Sequence, residues 1–538
     1  MGTLDWVVIG IFFLALIGII VWVVKQKQND SADYFLGGRD ATWLAIGASI
    51  FASNIGSEHL IGLAGAGASS GMAMAHWEIQ GWMILILGWV FVPFYSRSMV
   101  YTMPEFLERR YNPQSRTILS VISLISYVLT KVAVTVYAGG LVFQQVFGIK
   151  ELWGIDFFWI AAIGLVVLTA LYTIFGGMKS VLYTSVLQTP ILLLGSLIIL
   201  VLGFKELGGW DEMMSICSAV TVNEYGDTMT QLIRDNNDPN FPWLGALVGS
   251  AIIGFWYWCT DQFIVQRVLS GKNEKEARRG TIFGAYLKLL PVFLFLIPGM
   301  IAFALHQKYI GAGGEGFLPL LANGTANADA AFPTLVAKLL PAGVKGLVVC
   351  GILAALMSSL ASLFNSSAML FTIDFYKRFK PETPEKKLVG IGQIATVVIV
   401  ILGILWIPIM RSVGDVLYTY LQDVQSVLAP GIAAAFLLGI CWKRTSAKGG
   451  MWGLIAGMII GLTRLGAKVY YSNTAITDSS MFKYLFYDLN WLFFCGWMFL
   501  FCIIVVIAVS LMTEAPSAEK IQGLVFGTST PEQKAATR

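Results

Sequence analysis

The residues with chemistry to offer in this chain stand where an apolar setting makes them costly. Ala52-Ser53-Asn54-Ile55-Gly56-Ser57-Glu58-His59 interrupts an apolar run, 43–68, that is otherwise long enough to cross a bilayer. A charge at the bilayer centre costs about 2.5 kcal/mol or more even on the mildest scale. Asn54, Glu58 and His59 therefore call for a ligand or a buried partner. Gly56 and its small neighbours favour an opening of the helix, which frees backbone carbonyls. A second interruption, Trp256-Tyr257-Trp258-Cys259-Thr260-Asp261-Gln262, lies inside the run 244–268. Polar breaks in corresponding helices of two halves point to discontinuous helices around a midplane binding site.

Other polar groups inside apolar runs each admit two readings. Glu78, between Trp77 and Trp82, is either an interfacial carboxylate in an aromatic belt or an acceptor for hydroxyls inside a cavity. Lys288, about two turns into its run, either snorkels to the surface or faces the interior with a carboxylate partner, for which Glu78 is a candidate. Ser358, Ser359 and Ser362 follow Ala354 and Ala355. They serve as small packing contacts or, with freed carbonyls, as neutral oxygen ligands for a hard cation. Gln422, Asp423 and Gln425 either form a solvated end or present amides to a polyol, beside Tyr418 and Tyr420. Tyr257 and Trp258 offer flat faces on which sugar rings stack.

The elements that must position these groups are membrane helices. The 538 residues are 57% hydrophobic and 13% charged, with a mean hydropathy of +0.72. That excludes an ordinary soluble domain. About thirteen apolar runs of roughly spanning length recur: 6–24, 43–68, 76–94, 118–147, 153–175, 181–204, 244–268, 281–305, 344–371, 389–409, 416–441, 449–465 and 491–511. Lys and Arg gather in alternate loops, around 25–39, 97–110, 179, 267–279, 377–387 and 443–448. The positive-inside rule then predicts the N-terminus outside and the C-terminus in the cytoplasm. The expected divisions are 1–42 (N-terminus, first helix and cytoplasmic loop), 43–204 (first five-helix repeat) and 205–242 (outer loop). They continue with 243–441 (second, inverted repeat), 442–512 (two further helices) and 513–538 (a cytoplasmic tail whose polar, small-residue composition predicts disorder).

The composition excludes other classes. The net charge of +4 is spread over short loops and makes no nucleic-acid patch. Three histidines allow no metal cluster, and no phosphate-cradling glycine motif is present, so the chain reads as neither an enzyme nor a primary pump. The driving force is then an ion gradient. Asp5 leads directly into a spanning run with no cleavage site after it, unlike a removable signal.

At these residues the sequence resembles the sodium/solute symporter family, most closely its sodium/glucose cotransporter branch. The motifs are Gly47-Ala48-Ser49 through Gly71, Tyr172-Thr173-Ile174-Phe175-Gly176-Gly177-Met178, 256–262, Tyr286-Leu287-Lys288-Leu289, Met357-Ser358-Ser359-Leu360 with Phe371-Thr372-Ile373-Asp374, and 430–443. The resemblance covers roughly 30–465. It implies an all-α leucine-transporter-type 5+5 inverted repeat, sodium as the co-transported ion, and alternating access in the cell membrane. It implies a sugar site at Asn54, His59, Glu78, Tyr257, Trp258, Lys288 and Gln422. It implies sodium ligands at the carbonyls of Ala52, Ile55 and Ala355 and the hydroxyls of Ser358 and Ser359. Tyr257 matches the inner gate, and Leu63, Trp77 and Tyr418 the outer one.

Two departures matter. Ser185 stands where many relatives have Asp, and Ala361 where some have a hydroxyl, which predicts one sodium per sugar rather than two. The outer loops lack the many cysteines of animal members and the chain ends soon after Leu511, as expected of a compact bacterial version. A sodium symporter for myo-inositol, another polyol or an organic solute is the alternative, with an uncoupled channel or sugar sensor behind it. Oligomeric state is not legible, and Glu58 has no assigned role.

Overall fold

The structure, a computed structural model, describes residues 1–26, 30–56, 58–321, 324–413, 417–472 and 480–528. It is built from helices, with one two-stranded hairpin, Glu151–Leu152 with Ile155–Asp156. The central helix is Val344–Met369. It belongs to a segment whose most apolar stretch is 89% buried, against 22% for the N-terminal helix Thr3–Val24. The first is therefore interior and the second faces lipid. Val344–Met369 packs along Phe157–Leu207, and Trp43–Asn54 packs against both. Asp5 ties the peripheral helix to the central one. Its carboxylate accepts from the backbone N–H groups of Gly343 and Gly346 at 2.6 and 2.8 Å, at the positive end of the helix dipole.

Among the described residues ten helices are long and apolar enough to span a membrane, not thirteen. The difference lies in helices that run on or break. Phe157–Leu207 is 51 residues long, about twice what a bilayer requires. It turns at Gly177, whose φ of +52° suits glycine and where a Cβ would overlap the Tyr34 carbonyl. The segment Glu58–Ser98 likewise runs through 41 residues. Two other apolar helices, Trp43–Asn54 and Ala133–Phe147, are too short to count alone.

The breaks are local and have causes. Trp43–Asn54 stops at Ile55, which is extended (φ −79°, ψ 101°), and the chain re-enters a π-helical turn at Glu58–Leu63. The second break falls at Asp261, extended between the π-helix Phe255–Thr260 and the helix Gln262–Leu269, whose first turn its side chain caps. A third interruption, unexpected from the sequence, follows Leu287. Residues 288–290 form a turn before Pro291, which has no N–H to continue a helix.

Two expectations about irregular segments are corrected. The stretch 205–242 is not all loop: it holds the helix Trp210–Ser218. It also reaches back over the first broken helix, where Met72 N–H donates to the Met229 carbonyl at 2.7 Å. The tail is ordered as far as described. Val525 is buried, Phe526 N–H donates to the Ile440 carbonyl at 2.9 Å, and its ring meets Phe94 edge-on. The apolar triplet Leu524-Val525-Phe526 outweighs the polar composition around it.

Candidate substrate and sodium site

The two broken helices and the turn at Lys288 converge on one cavity. It is lined by Asn54, Glu58, His59, Leu63, Trp77, Glu78, Gln80, Ile253, Gly254, Tyr257, Trp258, Lys288 and Gln425. Ten residues singled out in the sequence thus line it: Asn54, Glu58, His59, Leu63, Trp77, Glu78, Tyr257, Trp258, Lys288 and Gln425. Gln422 and Tyr418 belong to the helix Leu417–Cys441, but their side chains lie outside the described residues. Gln425, one turn further on, reaches the cavity instead.

The polar centre is a three-membered cluster. The Lys288 ammonium lies 2.6 Å from Glu78 Oε2 and 2.8 Å from His59 Nε2. Glu78 Oε1 is 3.2 Å from the same Nε2. All three residues are buried. The interfacial reading of Glu78 and the snorkelling reading of Lys288 therefore give way to an interior ion pair. A single imidazole nitrogen faces both charges, so it either accepts from the ammonium or donates to the carboxylate. The enclosed space is about 20 Å³, room for about one water. Any ring-sized ligand here must separate these groups and substitute its own hydroxyls for their mutual contacts.

Around the cluster, Asn54 Nδ2 donates to the Tyr257 hydroxyl at 2.9 Å. The Tyr257 and Trp258 rings meet edge to face, with centroids 4.9 Å apart. His59 and the pair Tyr257 and Trp258 all sit in π-helical turns, whose extra residue per turn rotates side chains away from the register of the flanking helix.

On either side of Asn54, the central helix meets the break. Ser359 Oγ donates to the Ser53 carbonyl at 2.7 Å and lies 3.4 Å from that of Ile55. Ser358 Oγ is 3.2 Å from Ser185 Oγ. Ala52, Ile55, Ala355, Ser358 and Ser359 are all buried. A Cβ at Gly56 would lie 2.7 Å from Ser359 Oγ, so the missing side chain is what admits the hydroxyl to the break. This donor set is neutral oxygen, the kind a small hard cation takes; of its expected carbonyls Ser359 reaches that of Ile55, and it also reaches that of Ser53, which the sequence reading did not include.

The sequence reading missed the groups beneath Tyr257. The Lys131 ammonium is 2.7 Å from Asp261 Oδ2 and 4.6 Å from the Tyr257 ring centroid. Tyr127 also donates to Asp261. Lys131 lies inside the run 118–147, where a lone ammonium was the available signal. Arg267, fully buried, donates from Nε to Ser53 Oγ at 3.0 Å. Gln80 and Gly254 were also missed: an amide at an apolar helix end reads equally as interface.

A mostly helical membrane chain with paired helix breaks around a buried polar site has the architecture of a secondary transporter. Residues 34–457 match the family described as Sodium:solute symporter family. The human sodium/myo-inositol cotransporter 2 is 37% identical over 538 residues, covering 97% of this chain and 79% of that protein. The sheep sodium/glucose cotransporter 1 is 37% identical over 529 residues, covering 95% and 79%. Among solved structures, a Na+-coupled sialic acid symporter in a substrate-bound outward-open state superposes with a TM-score of 0.76. It is 22% identical and covers 96% of this chain and 99% of its own. Mhp1, a nucleobase-cation-symport-1 family transporter, gives 0.51 at 14% identity, with coverage of 93% and 98%. The chain belongs to the sodium:solute symporter family. It is a multi-pass membrane protein of leucine-transporter-type fold, a sodium-coupled solute symporter, with sodium as the co-transported ion.

Proposed function

We propose that the solute is a neutral polyhydroxylated ring, a monosaccharide of the glucose or galactose type, imported with one sodium per sugar by alternating access. The observation that carries this is the Glu78–Lys288–His59 cluster. It offers acceptors and donors to hydroxyls while its charges cancel, and among the described residues no arginine lines the cavity to pair with an anion. In this reading Asn54, His59, Glu78, Tyr257, Trp258, Lys288 and Gln422 hold the sugar. Leu63, Trp77 and Tyr418 close above it and Tyr257 below.

Sodium sits between the carbonyls of Ala52, Ile55 and Ala355 and the hydroxyls of Ser358 and Ser359. It ties the break to the central helix, and the same break presents Asn54 and His59 to the sugar. Sodium therefore preorganises the sugar site, and by linkage the sugar tightens sodium equally. The repeats are 43–204 and 243–441, with the N-terminus outside and the C-terminus in the cytoplasm. Sodium entering from outside down its gradient then drives import.

Myo-inositol is the second reading. The human, mouse and bovine relatives at 37% identity are sodium/myo-inositol cotransporters, and the ring hydroxyls of inositol suit the same cluster. Proteoliposomes with an imposed inward sodium gradient decide between them, using labelled D-glucose, D-galactose and myo-inositol. Concentrative, sodium-dependent uptake of one of the two hexoses is expected. Accumulation of myo-inositol alone selects the second reading. Equilibration without accumulation would show an uncoupled channel or sensor.

A further inference from the structure

Gln80 is a cavity-lining amide that the reading above leaves without a role. It is 5% exposed, and its Oε1 has no hydrogen-bond partner among the described residues. A buried amide oxygen left unpaired costs free energy and is uncommon without a function. Its position is set from two sides. The next residue, Gly81, packs against the Lys288 stem, where a Cβ would lie 2.6 Å from Lys288 Cγ. Directly against the amide stands Gly254, three residues before Tyr257, and a Cβ there would overlap Gln80 Oε1. Gly254 thus brings no side chain to the wall next to the aromatic pair, and the Gln80 amide fills the space it vacates.

We infer that Gln80 Oε1 is a substrate-contact and specificity group that accepts a hydrogen bond from one ring hydroxyl. It does so on the wall formed by Gly254, beside the Glu78–Lys288 pair. A neutral amide oxygen needs a donor, which a hydroxyl supplies and a carboxylate does not. This inference rests on the polyol reading above and adds to it one hydroxyl position that the protein must discriminate. Rejecting an analogue that lacks a hydrogen-bonded hydroxyl is the stronger form of selectivity, because the protein group is left buried and unpaired.

The test uses the full chain in proteoliposomes with an inward sodium gradient. Labelled D-glucose, D-galactose or myo-inositol is the reporter, whichever accumulates, with the monodeoxy analogues of that compound as competitors. In the wild type, one analogue inhibits about tenfold or more weakly than its parent through loss of the Gln80 contact. In Gln80→Leu that ratio falls toward one while the ratios for the other analogues hold, a change that a merely structural role would not produce. Unchanged ratios across the whole series overturn the inference. If Gln80→Leu does not reach the vesicles folded, Gly254→Ala gives the same readout by pushing the amide aside. Failure of the wild type to accumulate any of the three compounds overturns the polyol reading itself and this inference with it.

Discussion

The side-chain amide of Asn54 donates to the hydroxyl of Tyr257 at 2.9 Å, joining the break in one helix to the break in its counterpart. Asn54 lies one residue from Ser53, whose carbonyl accepts from Ser359 Oγ, and Tyr257 lies over Lys131. The contact therefore joins the break that carries the proposed sodium ligands to the ring that packs on Lys131. Under the proposed function, sodium-solute coupling has a short physical route here, through a rigid break rather than across the whole bundle.

Ser359 supplies the hydroxyl nearest the freed carbonyls. Ser359→Ala should raise the half-saturating sodium concentration by about tenfold, as loss of one oxygen ligand worth about 1–2 kcal/mol implies. Linkage requires the apparent solute affinity to fall with it at low sodium. Sodium-activation curves of uptake check this. An unchanged curve would remove Ser359 from the site.

Glu78 and Lys288 form a buried ion pair, so removing either partner strands the other. Lys288→Met should abolish solute uptake and lower thermal stability in detergent, by about 3 kcal/mol or more. Adding Glu78→Gln should restore most of the stability without restoring uptake. Recovery of uptake in the double variant would show that the pair is structural only.

Lys131 and Asp261 make a second buried pair, packed against the Tyr257 ring. If Tyr257 is the inner gate, as proposed above, Lys131→Met should loosen that gate and increase labelling of a cysteine placed in the inward path, with little change in solute affinity. Adding Asp261→Asn should recover part of that closure, giving a coupling energy of about 1–3 kcal/mol in a double-mutant cycle. Additive effects would mean that the two groups do not hold the inner side together.

Asp329 lies outside the spanning segments, against Gly65 of the first broken helix. Burial pushes its carboxyl up to about 6. The charged form is thus disfavoured in the folded protein, a penalty absent below the unfolded value of 3.8 and complete above about 6. Asp329→Asn should stabilise the protein at pH 7.5 by on the order of 1 kcal/mol and leave it unchanged at pH 3.5. Thermal unfolding in detergent at the two pH values measures this, and an equal effect at both would refute it.

Ser185 and Ala361 offer no carboxylate to a second cation. Ser185 Oγ is already committed to the Val181 carbonyl at 2.6 Å. The reversal potential of solute-coupled current in proteoliposomes should shift with the sodium gradient as one sodium per solute demands. A shift corresponding to two would show a second site built from other oxygens.

The sequence by itself determined that the chain lies in a membrane, that two of its helices break at polar motifs, and which polar residue types stand inside its apolar runs. Hydropathy reports cost directly: Asn54, His59, Glu78 and Lys288 are too expensive in lipid to stand there without partners, so they mark themselves. Sequence could not say which partner each finds. Glu78 and Lys288 are far apart in the chain, and interfacial and interior placements carry the same local pattern until helices pack. The turn at 288–290, the π-helical turns beneath His59 and Tyr257, and the bend at Gly177 are decided by packing and backbone hydrogen bonding, which apolar periodicity does not register. Gln80 and Lys131 show the same limit. An amide or an ammonium inside an apolar run acquires meaning only when another helix brings Gly254 or Asp261 against it.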